Sequence, residues 1–448
     1  MSRLLSLVIL LLSGLPAVAA PKNIVLLIAD DLGMQVGCYG DTAAKTPHID
    51  KLAAGGTRYT NGFASVASCS PSRATILTGM PTHMCGQYGL AHADHNAATF
   101  KKVKGLPALL APAGYKSAVI SKLHVQPKEV YPFDEEIAVN GRNVTQIAEK
   151  AKDFIARTGE SPFFLLVGFV DPHRAGAVGF GNEIKQPAGV PSAKFDPKTI
   201  PVPNHLPDTP EVRAELADYY QSVARLDHGV GLVLKALEDA KKLDDTLVIF
   251  LSDNGIPFPG AKTTLYDTGV HLPLIIRTPG QKASVNESLA SWTDIAPTIL
   301  DWAGVKPPAS LPGRSLLANG PGPDAVFGSH QYHEVTMYYP MRMVRTKTHK
   351  YILNLAHGLE YPHASDLWGS DTWQGILKRG DNMMGQRPVK DFLKRPKEEL
   401  YDLTADPAEV KNLAIDPSHS KMLNDLRANL ATWRKTTNDP WLIKDMHE

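Results

Sequence analysis

Three apolar runs, each ending in polar residues, constrain the fold of this chain more than any other feature. Such runs are typical of strands buried on both faces of a parallel sheet. They are Asn23–Ala29, followed by Asp30-Asp31; Phe163–Val170, followed by Asp171-Pro172-His173-Arg174; and Thr246–Leu251, followed by Ser252-Asp253-Asn254-Gly255. Because ligands of open α/β sheets bind beyond the carboxyl ends of strands, these three endings predict one shared site.

Helical patterns lie between the apolar runs. In residues 211–241 apolar side chains recur at helical spacing, so this alternation predicts an α/β sandwich with a large, mostly parallel central sheet. From about Gly320 the segments shorten, and residues 420–436 have the pattern of a last amphipathic helix. We therefore expect a main domain at residues 21–320 and a smaller α+β subdomain at residues 321–448. The Pro-rich stretch at residues 186–210 is expected to be a surface excursion.

The first twenty residues have the features of a secretory signal peptide. Arg3 supplies a positive charge, residues 4–12 are apolar and residues 17–20 are small. The apolar run is too short to span a bilayer, so no membrane span is expected once residues 1–20 are removed. We expect an exported protein, periplasmic or secreted in a bacterium and lysosomal in a eukaryote.

Composition and charge are those of an ordinary packed protein. The 448 residues are 43% hydrophobic and 21% charged, with a net charge of +1. Affinity for an anionic substrate must therefore come from locally placed cations, and no nucleic-acid partner is predicted. The chain has three cysteines, too few for a disulfide framework. A disulfide between Cys38 and Cys85 is left open, and Cys69 would then have no cysteine to pair with.

Two of the strand endings carry the ligands of a hard cation. Asp30 and Asp31 with Asp253 and Asn254 would supply three carboxylates and an amide oxygen, a set that suits calcium or magnesium better than zinc. An acidic pair after one strand more commonly caps a helix or lies in a solvated turn. Two such pairs on two strand ends favour the metal.

The segment around Cys69 has the pattern of a helix start. We predict Pro71 at the first helical position with Ser70 as the cap. Cys69 would then face the positive end of the helix, where the thiol pKa is lowered and an anion is stabilised. Arg73, one turn along, would direct its guanidinium to the same place. A lone cysteine is otherwise more commonly a small buried hydrophobe.

The run Cys69-Ser-Pro-Ser-Arg73, continued by Ala74-Thr-Ile-Leu-Thr-Gly79, resembles the signature of the type I sulfatases. The resemblance implies an alkaline-phosphatase-like sandwich and conversion of Cys69 to formylglycine by a maturation enzyme. It also implies one calcium ion, and Arg73 as the residue that steadies the nucleophile and the substrate anion. Further catalytic residues implied by matching motifs are Lys122 and His124, and also His173 near the leaving group.

Further runs resemble one branch of that family, the N-sulfatases of heparan sulfate. They are Ser252–Pro259, Phe327–His330, His333–Met337, Tyr339–Arg342 and Asp439–Trp441. The resemblance implies removal of the N-linked sulfate from N-sulfoglucosamine in heparan sulfate or heparin saccharides. Lys262 is a further catalytic residue that the resemblance implies, expected to contact the sulfonate. It stands where that branch has an arginine, so the charge is kept but the bidentate fork is lost. Glu334 and Arg342 lie inside these runs and Arg174 directly follows His173, and all three are proposed to bind the sugar or sulfonate.

Three other functions remain open at this point. An O-sulfatase of glucosamine or another sugar is the nearest, since spacing alone does not separate it from an N-sulfatase. A phosphatase or phosphonate hydrolase shares the same type of sheet, but two-zinc enzymes of that kind need more histidine ligands. A non-catalytic glycan binder would not need Cys69, Arg73 and the acidic set. A homodimer is also left open, and Asn143 and Asn286 fit the glycosylation pattern if the host is eukaryotic.

Overall fold

The apolar runs of the sequence become neighbouring strands of one central sheet. The structure, a computed structural model, describes residues 23–174, 179–182, 189–190, 192–318 and 320–442. The predicted signal peptide at residues 1–20 and part of the Pro-rich stretch lie outside these residues.

The bounds of the strands and helices follow the apolar patterns closely. The strands are β1 (Asn23–Ala29), β2 (Thr57–Phe63), β3 (Lys116–Ser121), β4 (Glu135–Ile137), β5 (Phe163–Gly168), β6 (Thr246–Ser252), β7 (Leu274–Arg277), β8 (Ser284–Ser291), β9 (Val326–His330), β10 (Met341–Arg345), β11 (His349–Asn354), β12 (Met383–Met384), β13 (Arg387–Pro388) and β14 (Glu398–Asp402). The helices are α1 (Pro47–Ala54), α2 (Cys69–Thr78), α3 (Thr82–Cys85), α4 (Leu106–Leu110), α5 (Val144–Thr158), α6 (Pro210–Asp239), α7 (Asp267–Val270), α8 (Ile295–Trp302), α9 (Ser365–Trp368), α10 (Asp371–Arg379), α11 (Val389–Leu393) and α12 (Ser420–Thr436).

The central sheet has eight strands in the order β4-β3-β5-β1-β6-β7-β2-β8. Strand β7 is antiparallel to both of its neighbours, and the other pairs are parallel. Strand β1 lies between β5 and β6, and its last residue, Ala29, pairs with Ser252. The carboxyl ends of these three strands therefore meet at one edge, as predicted.

Alternate residues of β1 enter two different hydrophobic cores. Ile24, Leu26 and Ile28 pack with α2, α4 and α8 on one face of the sheet. Val25 and Leu27 pack with α1, α5 and α6 on the other face. Each of these side chains is fully buried and contributes roughly 1.5–3 kcal/mol to folding. The two covered faces confirm the predicted mostly parallel α/β sandwich.

The C-terminal part of the chain forms a smaller antiparallel sheet in the order β14-β11-β10-β9. Met341 and Met343 of β10 reach into a core of the main sheet, whereas Val344 faces Leu426 and Leu430 of α12. This sheet is therefore packed between the main domain and its own helix. A division of the chain at residue 320 stays a prediction, since the two sheets share a hydrophobic core.

Two further findings bear on the predictions from composition. None of the helices in the described part of the chain has the length and apolar character that crossing a membrane requires. Cys38, Cys69 and Cys85 are all free thiols, so the pairing of Cys38 with Cys85 is not formed.

Candidate active site

The acidic residues after β1 and β6 meet because these two strands are parallel neighbours. A carboxylate oxygen from each of Asp30, Asp31 and Asp253 lies within 4.8 Å of the others. All three side chains are fully buried, as is Asn254. Three carboxylates without solvent repel one another strongly, so this cluster needs compensating positive charge.

Hydrogen bonds between the two strand ends fix the orientation of these side chains. The backbone N–H groups of Asp31 and Asn254 donate to Asp253 Oδ1 at 3.1 and 2.8 Å. Asn254 Nδ2 donates to Asp31 Oδ1 at 2.6 Å, whereas the buried Asn254 Oδ1 has no hydrogen-bond partner. A buried amide oxygen without a partner, next to three carboxylates, fits a hard divalent cation.

The pKa values of the acidic residues reflect this crowding. Burial, together with the charge of the neighbouring carboxylates, raises the pKa of Asp31 to about 6 and that of Asp253 to about 7. Burial also disfavours ionisation of Asp30, but Lys122, His173 and Arg73 outweigh it and hold the Asp30 pKa well below its usual range. The crowding of negative charge is therefore only partly offset by the chain's own cations.

Cys69 lies beside this acidic cluster at the start of α2. Its Sγ is 3.5 Å from Asp30 Oδ1 and 3.9 Å from Asp31 Oδ1, and the residue is buried. The prediction of a cap at Ser70 is wrong, because the helix begins at Cys69 and its N-cap residue is Ser68. Pro71 is therefore the third residue of the helix and not the first. Proline fits there because the backbone N–H groups of the first turn have no partner within the helix.

The expected lowering of the Cys69 pKa is also wrong. Burial raises the pKa of the thiol well above its usual value, and although Lys262 and Lys122 oppose this, Asp30 and Asp31 add to it. The unmodified residue is therefore a protonated thiol and a poor nucleophile.

Three cations predicted from the sequence surround the acidic cluster, one from helix α2 and two from loops. Arg73 Nε donates to Asp253 Oδ2 at 2.8 Å, and its Nη1 donates to the backbone oxygen of Lys122 at 2.9 Å. Lys122 Nζ pairs with Asp30, and Lys262 Nζ donates to Asp31 Oδ2 at 3.0 Å. Arg73 Nη2 is buried and has no hydrogen-bond partner, and its nearest charged group is Asp30 Oδ2 at 3.7 Å.

The two predicted histidines are both partly exposed but have different neighbours. His173 Nε2 lies 3.9 Å from Asp31 Oδ2 and 3.5 Å from Lys262 Nζ, and desolvation beside Lys262 lowers its pKa to about 3. His124 Nε2 is 2.5 Å from His92 Nδ1, and the two rings stack. Burial and Lys122 hold the His124 pKa well below its usual value.

The three residues proposed for substrate recognition each have a partner within the protein, and their role toward substrate stays a prediction. Arg174 pairs with Glu215 at 2.5 Å, and Glu334 Oε1 accepts hydrogen bonds from the backbone and hydroxyl of Ser365. Arg342 is fully buried and forms a bidentate pair with Asp439 at 2.8 and 2.9 Å. No contact described for these three residues is with the acidic cluster.

One acidic residue of the site was missed by the sequence analysis. Asp366, at the start of α9, accepts a hydrogen bond from Lys262 Nζ at 2.7 Å. It is grouped with Asp31 and His173, with one polar atom of each within 4.8 Å of the others. No local motif marks Asp366, because it arrives from a part of the chain remote from every strand ending. A histidine near Cys69 was also not singled out. His333, in the run His333–Met337, has its Nδ1 2.8 Å from Ser68 Oγ.

Comparison with known proteins agrees with this site. Residues 22–305 match the Sulfatase family, and residues 261–361 match the family described as N-sulphoglucosamine sulphohydrolase, C-terminal. Human N-sulphoglucosamine sulphohydrolase is 42% identical over 95% of this chain and 92% of its own length. An ulvan-active sulfatase from Formosa agariphila is 28% identical over 93% of this chain and 75% of its own length.

Solved structures agree on the fold. A 2-O GAG sulfatase superposes with a TM-score of 0.71 at 24% identity, over 94% of this chain and 93% of the other. A phosphonate monoester hydrolase of Agrobacterium radiobacter superposes with a TM-score of 0.69 at 19% identity, over 93% and 96%. These likenesses concern the fold alone. The family follows from the sequence matches and from the site that the strand ends assemble: this chain belongs to the sulfatase family.

Proposed function

We propose that this sulfatase hydrolyses the N-linked sulfate of N-sulfoglucosamine residues in heparan sulfate and heparin-derived saccharides. The observation that carries the proposal is the position of Cys69, whose sulfur lies 3.5 Å from Asp30 and 3.9 Å from Asp31. The choice of substrate rests on the 42% identity to human N-sulphoglucosamine sulphohydrolase over nearly the whole chain.

The proposed cofactor is one calcium ion, held by Asp30, Asp31, Asp253 and Asn254. Carboxylate and amide oxygens suit this cation, and the unpartnered Asn254 Oδ1 would complete the set. When bound, calcium would offset the crowded negative charge and act as a Lewis acid at the sulfonate. Magnesium, which prefers to keep several waters, fits a fully buried set less well.

Charge balance supports a bound cation. Three cations face four carboxylates around Cys69, namely Arg73, Lys122 and Lys262 against Asp30, Asp31, Asp253 and Asp366. With all four carboxylates ionised and no metal ion bound, this balance is negative and repels a sulfonate. A divalent ion makes it positive, so metal binding and anion binding are expected to depend on each other.

The nucleophile is proposed to be Cys69 after its oxidation to formylglycine by a separate maturation enzyme. A hydrated aldehyde supplies two hydroxyls, one to attack sulfur and one whose later deprotonation expels sulfate, which a thiol does not offer. The raised pKa of the Cys69 thiol fits a residue that acts only once modified.

Each remaining residue has a role that follows from its position. Arg73 would direct its Nη2, which has no hydrogen-bond partner, to the sulfonate, and Lys122 and Lys262 would stabilise charge on the sulfonyl oxygens. His173, a quarter exposed beside Lys262, is a neutral imidazole in the free site, because its pKa is lowered to about 3. The negative charge of a bound sulfonate would raise that pKa, so that His173 could carry a proton to the departing nitrogen with help from His124.

Further parts of the proposal concern the whole protein. We infer a sulfatase catalytic domain at residues 21–320 and a C-terminal subdomain at residues 321–448 that completes the pocket. We also infer export directed by residues 1–20, with a lysosomal address in a eukaryote and a periplasmic or extracellular address in a bacterium. A homodimer remains open.

The test uses matured protein supplied with calcium and a panel of N-, 2-O- and 6-O-sulfated glucosamine saccharides. Release of sulfate together with a free amine from the N-sulfated sugar is expected, and mass analysis of the peptide carrying residue 69 verifies maturation. Hydrolysis of an O-sulfate alone would favour the O-sulfatase alternative. Saccharide binding without turnover by fully matured protein would favour the non-catalytic binder.

A further inference from the structure

Asp366 presents an unused hydrogen-bond acceptor inside the candidate active site. Its Oδ2 accepts from Lys262 Nζ at 2.7 Å, while its Oδ1 is buried and has no hydrogen-bond partner. A buried carboxylate oxygen without a donor is unfavourable unless another molecule supplies the donor. One carboxylate oxygen of Asp366 also lies within 4.8 Å of polar atoms of Asp31, a proposed metal ligand, and His173, the proposed proton donor.

The turn that carries Asp366 is held firmly in place. Glu334 Oε1 accepts hydrogen bonds from the backbone N–H and the hydroxyl of Ser365 at 2.8 and 2.6 Å. On the other side, Lys262 is fixed because it also donates to Asp31 Oδ2 at 3.0 Å. The position of Asp366 Oδ1 is therefore set before substrate arrives, and Glu334 acts on the substrate only through this turn.

The bridging atom distinguishes the two classes of sulfated sugar. In an N-sulfate the nitrogen between carbon and sulfur carries a hydrogen and donates a hydrogen bond. In an O-sulfate the bridging oxygen has lone pairs only, which a carboxylate oxygen repels. A fixed acceptor near His173, the proposed proton donor to the leaving atom, would therefore favour one substrate and oppose the other.

We propose that Asp366 is the specificity-determining residue that selects N-sulfates over O-sulfates, by accepting a hydrogen bond from the sulfamate N–H through its Oδ1. The inference rests on the proposed function and names the residue that sets its substrate class. Asp366 comes from the C-terminal part of the chain, whereas the nucleophile and metal ligands come from the main sheet.

The matched substrates are N-sulfoglucosamine and glucose 2-O-sulfate, which differ only in the bridging atom and its hydrogen. Matured, calcium-loaded wild type is expected to prefer the N-sulfate by about 100-fold in kcat/KM, the discrimination typical of a buried acceptor that loses its donor. Equal rates on the two sugars would overturn the role of Asp366 and leave the N-sulfatase function standing. Hydrolysis of the 2-O-sulfate alone would overturn the proposed function itself.

The variant Asp366→Asn tests the residue directly. Its amide oxygen would keep the bond to Lys262, which turns the NH₂ group toward the bridging atom. The preference for the N-sulfate is expected to fall about 100-fold, with the rate on the 2-O-sulfate unchanged or higher. Equal losses on both sugars would mean that Asp366 only positions Lys262, and no loss would also overturn the proposal. Asp381→Asn, which removes a surface partner of Arg379, is the matched control and leaves the preference unchanged.

Discussion

Two clusters of buried charge in this chain behave in opposite ways. The strand-end cluster lies beyond the central sheet and consists of Asp30, Asp31 and Asp253 with Cys69. The C-terminal cluster consists of Arg342, Arg434 and Asp439. In the C-terminal cluster one carboxylate accepts hydrogen bonds from two guanidinium groups, and although burial opposes ionisation, these bonds hold the Asp439 pKa well below its usual range. In the strand-end cluster burial and crowding raise the pKa of Asp31 to about 6 and that of Asp253 to about 7, and only Asp30, paired with Lys122, has a pKa below its usual range.

The difference separates charges that stabilise the fold from charges that serve a ligand. A paired buried carboxylate costs several kcal/mol only when its partner is removed. A buried carboxylate crowded by others is unfavourable in the folded chain itself, because the negative charges repel one another. A cation bound from solution reduces that repulsion. Substitutions in the strand-end cluster should therefore change activity, and substitutions in the C-terminal cluster should change stability.

The largest effect is expected for Asp31→Asn. Loss of one carboxylate from the metal site should lower kcat/KM for N-sulfoglucosamine by about 10³-fold, since a Lewis-acid metal contributes several kcal/mol to the transition state. The melting temperature in the presence of a chelator should not fall, because one source of charge repulsion is gone. A large loss of stability under chelator, with activity retained, would contradict the contrast between the clusters.

The next effect concerns Arg342→Met, which leaves Asp439 buried with one partner fewer. The free energy of unfolding should fall by about 3–5 kcal/mol, as measured by denaturant titration. The folded enzyme should keep its kcat/KM, because Arg342 contacts no residue of the acidic cluster. A raised KM without a loss of stability would instead support the earlier expectation that Arg342 binds the sugar.

The smallest effect is a pH dependence near the C-terminal cluster. His83 bonds to Ser329 and Thr437, and burial with the nearby charge of Arg342 lowers its pKa to about 3. Below a pH of about 6.5 His83 takes up a proton in the unfolded chain but not in the folded chain. The free energy of unfolding therefore falls by up to about 1.4 kcal/mol for each pH unit, until the pH reaches the pKa of His83 in the folded protein.

The variant His83→Gln keeps both types of hydrogen bond and removes the titration. Its free energy of unfolding between pH 6.5 and 5 should therefore depend less on pH than that of the wild type. The same slope in both proteins would show that His83 is protonated in the folded state.

The fold was largely predictable because its signals are local. The apolar run at Asn23–Ala29 is buried on both faces and became β1 with the predicted bounds. Parallel neighbours in a sheet bring their carboxyl ends together, so the meeting of Asp30 with Asp253 followed from two short patterns. The helix at Ser420–Thr436 was likewise read from its periodicity alone.

What failed depended on the surroundings of a residue. The Cys69 pKa was predicted from the helix end alone, and the adjacent carboxylates and burial reversed its direction. The run that contains Arg342 did not reveal its ion pair with Asp439, 97 positions away, and its binding of substrate stays a prediction. Asp366 was missed because it meets Lys262 across 104 positions, with no pattern around it to mark the contact.

A crystal structure of the matured protein grown with calcium tests the central claim most directly. We predict one ion bound by oxygens of Asp30, Asp31, Asp253 and Asn254, next to a formylglycine at residue 69. An ion elsewhere, or a fully matured site that stays without metal at saturating calcium while the enzyme is active, would contradict this account.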